Sequence, residues 1–279
     1  MTTLWTPASM GHEACAEGCT PANDRPYSRS GIPSVTTLIG TMDKPGLAWG
    51  AAKETAMFAV HHQDDWRGLD ADAAVERLRV HHRGVWDSAA RVGSLCHQVN
   101  EAWVRNETWE PDDDESDDMV HRMVGYVEGL AAFYEDVKPE TIATEVVVRT
   151  PGFYIGTFDW LATMGIIDIK TTGNLDADKG FYTESWRPQL AAYAAAEEVV
   201  HYHAGKEVAA WPLEDCFPRP TEGFILHMRG DGGYQLLKVD IGEQALAMMT
   251  HFRAVRDWTL KAGHGTPPIE IVSQRKGSA

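Results

Sequence analysis

The sequence predicts an α+β fold: a mixed sheet flanked by helices, with a helical N-terminal half. Three observations carry this. Apolar residues recur at spacings of three and four between Leu47 and Tyr134. After Lys138-Pro139 the period drops to two. Helical spacing then returns between and after later strand-like runs, so the order is helices, three strands, a helix, two strands and a helix.

Residues 1–31, rich in Gly, Pro, Ser and Cys, read as an irregular arm. The run "IPSVTTLIG" opens a single domain spanning 32–262, with Ser34 after Pro33 as a helix N-cap. Further helices are predicted over 47–60, 71–82, 85–104 and 115–134. The acidic run Asp112 to Asp118 stands where carboxylates suit the positive end of the last helix dipole. Its spacing also resembles a calcium loop. Asp117, however, occupies the position of the required glycine and Met123 that of the bidentate glutamate, so no calcium site is expected. "TEVVVRT", "YIGTFDWLAT" and "GIIDIKTT" are three successive strands, joined by turn signals at Pro151-Gly152 and Met164-Gly165. A helix over 186–203 follows. "GFILHMR" and "GYQLLKVD" form a hairpin across Gly230-Asp231-Gly232, a helix over 243–261 closes the domain, and residues 263–279 form a tail.

A chain of 279 residues, 43% of them apolar, can bury a sizeable core. No stretch approaches the roughly 18 apolar residues of a membrane span, and MTTLWTPASM lacks a basic leader, so a cytoplasmic protein with no membrane partner is expected. Cys15, Cys19, Cys96 and Cys216 are too few and scattered for a disulfide framework. His12, Cys15 and Cys19 offer three zinc-type ligands where a structural site needs four, and free thiols are the expectation. The net charge of -16 argues against a polyanionic partner. Half of it, however, comes from the eight acids between Asn106 and His121, and a bound cation would reduce the remainder.

Two aspartates and a lysine interrupt the apolar run "IGTFDWLATMGIIDIKTT", from Ile155 to Thr172. Strand alternation puts Asp168 and Lys170 on one face. A two-residue turn at Thr163-Met164 sets Asp159 opposite Asp168, and one at Met164-Gly165 sets it opposite Lys170; either places all three on that face. Facing carboxylates repel, and a divalent cation held by oxygen ligands, Mg²⁺ or Mn²⁺, would offset this while leaving positions for a phosphate and a water. A sheet-edge salt bridge, with Lys170 neutralising one aspartate, competes for the same residues.

The combination of Gly156-Thr157-Phe158-Asp159 with Ile166-Ile167 leading into Asp168-Ile169-Lys170 resembles the PD-(D/E)XK nuclease superfamily. Further elements narrow the resemblance to its RecB-type branch of phage recombination and CRISPR-adaptation exonucleases. These are Glu145 in "TEVVV", Gln189 and Tyr193 in "PQLAAY", and His97 in "VGSLCHQVNEAW"; "IPSVTTLIG" looks like the opening of phage members. The resemblance implies a restriction-endonuclease-like sheet. It further implies that Asp159, Asp168 and His97, completed by Glu145, bind Mg²⁺ or Mn²⁺, that Lys170 activates water, and that Gln189 and Tyr193 face the site and the DNA strand. A simple Pro151-Gly152 turn would nevertheless pair Glu145 with Phe158 and not with Asp159. Some members hold an iron-sulfur cluster through one N-terminal and three C-terminal cysteines; Cys216 stands alone at that end, and no cluster is expected.

The implied activity is metal-dependent hydrolysis of DNA from free ends, in phage recombination or DNA processing. Lys44, Lys53 and Arg187 are candidate DNA contacts, and a homo-oligomer or a single-strand annealing protein is a candidate partner. A non-catalytic acidic module, whether a DNA mimic or a degenerate nuclease fold, is the alternative, and an endonuclease a lesser one.

Overall fold

The computed structural model describes residues 4–10, 30–42, 44–113, 115–173, 184–203 and 205–264. Ser34 caps α1 (Val35–Ile39), its hydroxyl accepting from the Thr37 amide at 3.0 Å. α2 (Pro45–His61) starts on a proline that suits a first helical turn. α3 (Ala71–Val104) is one long helix where two were predicted. Gly84 costs such a helix about 1 kcal/mol and does not break it. α4 (Asp117–Val137) is capped by Ser116, and Arg91 of α3 pairs with Glu115 and, at 3.3 Å, with Asp112. The acidic run is thereby tied to the neighbouring helix.

β1 (Thr141–Thr150), β2 (Tyr154–Ala162) and β3 (Gly165–Thr172) follow as predicted. The helix expected over 186–203 stops early: α5 covers Trp186–Ala194, and Glu198–His203 is strand β4. Val199, Val200 and Tyr202 carry strand propensity, and β4 pairs with β1, Val148 opposite Val199. β5 (Lys206–Pro212), which the sequence reading missed, and the short α6 (Leu213–Cys216) come next. The hairpin of β6 (Gly223–Arg229) and β7 (Tyr234–Val239) leads into α7 (Glu243–His264). The seven strands form one sheet in the order β5-β4-β1-β2-β3-β6-β7, antiparallel except for the parallel β3–β6 pair. No helix among the described residues is long and apolar enough to cross a membrane.

The sheet is packed on both faces. Val35 and Leu38 of α1, Leu190 and Tyr193 of α5, and Met249 and Phe252 of α7 share one core with Ile166 and Ile225. On the other face Leu95 and Val99 of α3 and Met123 and Phe133 of α4 pack against Ile167, Ile169 and Trp160. Two strands depart from strict alternation. In β1, Ala143 and Val146 enter the same core three residues apart, and in β2 so do Phe158 and Leu161. Each strand therefore carries one extra residue at this point, and because the extra residues are opposite one another the pairing continues on both sides, Thr144 with Trp160 and Val146 with Phe158. Glu145 and Asp159 lie in this matched irregularity, and Glu145 takes the left-handed φ of 51°.

Candidate active site

The matched irregularity opens the sheet beside β3. β2 and β3 pair regularly only from Ala162–Gly165 to Trp160–Ile167. Beyond that, the Asp159 carboxylate replaces a strand carbonyl and accepts the Ile169 amide at 2.8 Å. The turn is the Thr163-Met164 alternative, but alternation through Asp159 is not what brings the three charges together, which corrects the single-face argument. Asp168 and Lys170 lie on the α5 face, like Ile166, whereas Asp159 meets His97 of α3 through the breach, at 3.6 Å.

Glu145 joins the same cluster, its carboxylate 3.5 Å from His97 Nδ1. The connection between β1 and β2 is a three-residue loop, Thr150 pairing with Tyr154, so Glu145 falls at the level of Asp159 and not of Phe158 as a two-residue turn would have it. His97, Glu145 and Asp159 each offer a ligand atom within 4.8 Å of the others, one nitrogen and two oxygens that could hold a metal ion. Asp168 stands outside this trio. It accepts Gln189 Nε2 at 2.9 Å through Oδ1 and pairs with Lys170 through Oδ2.

Burial sets the charge states. It penalises the anions, holding Asp159 above the usual carboxylate range and, with Asp159 close by, pushing Asp168 up to about 6. Burial lowers the His97 pKa, but Asp159 and then Glu145 more than reverse this and push it up to about 9. Lys170 is likewise held above its ordinary value against burial, chiefly by Asp168 and then Asp159. Without a metal, two cations, His97 and Lys170, face the three carboxylates Glu145, Asp159 and Asp168. The Cys96 thiol beside His97 is pushed up to about 12 by burial and is inert as a ligand near neutral pH.

The surroundings fix these groups. α3 is braced one turn beyond His97, where Tyr134 donates to Asn100 Oδ1 at 3.0 Å and stacks on Trp160, whose indole donates to Thr141. Tyr193 is buried, its hydroxyl 3.5 Å from Gln189 Nε2. Its ring lies over Gly156, where a Cβ would come within 2.6 Å of Cε1. Its position is that of a packing and positioning residue. Of the candidate DNA contacts, Lys44 and Lys53 are exposed, while Arg187 donates to Asp240 at 2.6 Å. His12, Cys15 and Cys19 lie outside the described residues; Cys96 and Cys216 are free thiols. The sequence reading missed the Ile169 amide as a partner of Asp159. The three-residue step from Phe158 to Leu161 was its available signal.

Fold and site define an α+β protein with a half-buried imidazole–carboxylate cluster able to hold a metal ion. No known protein family and no curated relative matches the chain. A solved structure described as "Crystal structure of SSO0001" is 12% identical, with a TM-score of 0.28 over 56% of this chain. The chain spans 64% of that structure's length, and a likeness of this size carries no argument.

Proposed function

We propose that the chain is a metal-dependent deoxyribonuclease of the PD-(D/E)XK superfamily, RecB-type branch, with a restriction-endonuclease-like sheet, and that it hydrolyses DNA from free ends. The observation that supports this reading is the meeting, at one breach in the sheet, of His97, Glu145 and Asp159 with the Asp168–Lys170 pair. A structural salt bridge needs only the pair.

The donor set fits Mn²⁺ or Mg²⁺, the imidazole nitrogen favouring Mn²⁺ of the two. His97, Glu145 and Asp159 would hold the ion, which when bound supplies a more acidic water and positive charge beside the phosphodiester. Lys170, held above its ordinary pKa by Asp168 and Asp159, would set a positive charge beside the phosphate oxygens and orient the attacking water. Asp168, with its elevated pKa, is the better proton acceptor. Gln189 fixes the Asp168 carboxylate through Oδ1, and Tyr193 steadies Gln189 one helical turn away.

The test is cleavage of end-labelled linear DNA in Mn²⁺ or Mg²⁺. Asp168→Ala and Lys170→Ala should each reduce the rate roughly a hundredfold or more, the scale expected when about 3 kcal/mol of transition-state stabilisation is lost. Wild-type cleavage by a folded Asp168→Ala protein would remove the assignment.

A further inference from the structure

We infer that the cleft between α3 and α4, at the carboxyl end of β3, holds a single-stranded nucleic-acid segment continuous with the strand being cut. The inference rests on the nuclease reading above. The cleft has a volume of about 670 Å³. That is the size of a site for a drug-sized ligand, and so for about one or two nucleotides. A duplex cannot be enclosed in it.

Its position ties it to the carboxylate cluster. β3 carries Asp168 and Lys170 on its α5 face and, past them, Thr171 on its α3 face; Thr171 and Thr172 line the cleft, on the side of the sheet from which His97 enters the cluster. At about 3.3 Å per residue, Thr172 lies about 7 Å past Lys170. α3 provides the facing wall. Gly93, one turn before His97, sits against the Thr171 hydroxyl, and Val92, Ala89 and Ser88 continue the wall away from the site. A strand with its scissile phosphate at the cluster would pass these residues next.

The lining suits an unpaired strand. Val85 of α3 and Val124 of α4, 39% and 49% exposed, present apolar surface to base faces. Arg122 stands at the rim for a phosphate. Its guanidinium donates to Ser88 at 2.9 Å and pairs with Asp118 at the same distance, while remaining 53% exposed. Glu128 and Asp231 also line the cleft, and Asp231 is engaged by Arg229 and the Gly233 amide. The lining thus sets one arginine against two carboxylates, offering a single phosphate contact, and binding to it should depend weakly on salt. For one phosphate contact on a single strand, the slope of log affinity against log salt is about -0.7.

The experiment uses a short fluorescein-labelled single-stranded oligonucleotide, with binding followed by anisotropy in Ca²⁺ and hydrolysis followed in Mn²⁺. Hydrolysis of bis(p-nitrophenyl) phosphate, too small to span site and cleft, is followed in parallel. Arg122 and Ala89 are exposed, so Arg122→Ala and the cleft-filling Ala89→Trp leave the core intact. Each variant should weaken oligonucleotide binding about tenfold and lower the ratio of kcat/KM for the oligonucleotide to that for the small diester by a similar factor. Cleft-dependent binding by a wild-type protein that hydrolyses neither substrate would support the cleft and remove the nuclease reading. Unchanged oligonucleotide affinity in both variants would overturn the inference. So would wild-type protein that hydrolyses the small diester and binds no single strand.

Discussion

Burial penalises the charge of Asp159 inside the sheet, and His97, Lys170 and the Ile169 amide offset only part of that penalty. The residue types gathered there were legible in the sequence: an acid, an acid-x-Lys pair, and a histidine and glutamate on neighbouring elements. The roles were less so. Nothing in the spacing reveals that Lys170 is held above its ordinary pKa or that Asp168 is committed to Gln189, because both depend on burial and on partners distant in the chain. Glu101, one turn after His97 on α3, allows the same physics to be tested away from the cluster. It is buried and pairs with Arg105, yet burial outweighs that cation and holds its pKa above the usual range. A carboxyl whose folded pKa is raised contributes stability that is complete below the unfolded pKa of about 4 and is lost as pH rises through the folded value. Glu101→Gln has no charge to bury. Its melting temperature should therefore gain on that of the wild type as pH is raised from about 4 to neutrality. Parallel curves for the two proteins would refute this.

At the scale of elements, the strands around the site were readable from their apolar runs and turn signals, although alternation breaks within β1 and β2. The region after α5 was not. "AAYAAAEEVVHYH" has the composition of a helix as far as Glu197, and only the need of β1 for a neighbour on its outer side explains why the chain turns back as β4. The split predicted between 82 and 85 does not occur either: α3 runs unbroken through that exposed stretch, and the residues it buries all lie beyond it, from Val92 to Glu101. The irregularity in β1 can be tested in the same terms. Glu145 holds φ 51°, a conformation costing an L-residue roughly 1–2 kcal/mol and glycine almost nothing. Glu145→Gly and Glu145→Ala remove the same carboxylate. The glycine variant should nevertheless be the more stable by about 1 kcal/mol in denaturant unfolding, the reverse of the order in an ordinary strand. An alanine variant as stable as the glycine one would show that the backbone relaxes there without cost.

For the whole molecule, the question is how a chain of charge -16 meets DNA. Among the three cations proposed from the sequence, Arg187 is already paired with Asp240, which leaves Lys44 and Lys53, exposed on and just before α2, on either side of an indole, Trp49, that is 77% exposed. So few positive contacts give a weak hold on duplex interior, with a correspondingly small salt slope. Linear DNA should therefore be degraded to short products in Mn²⁺ or Mg²⁺ while covalently closed circles persist in the same reaction; discrete fragments from a closed circle would instead establish an endonuclease. The paired extra residues at Glu145 and Asp159 also govern how this chain can change length over generations. Loss of the extra residue from one strand would restore strict alternation there and keep each side chain on its face, but would leave the other strand one residue longer and shift the pairing beyond that point. A matching loss in the other strand would restore the register, so changes of length at these two neighbouring places in the gene are tied to one another.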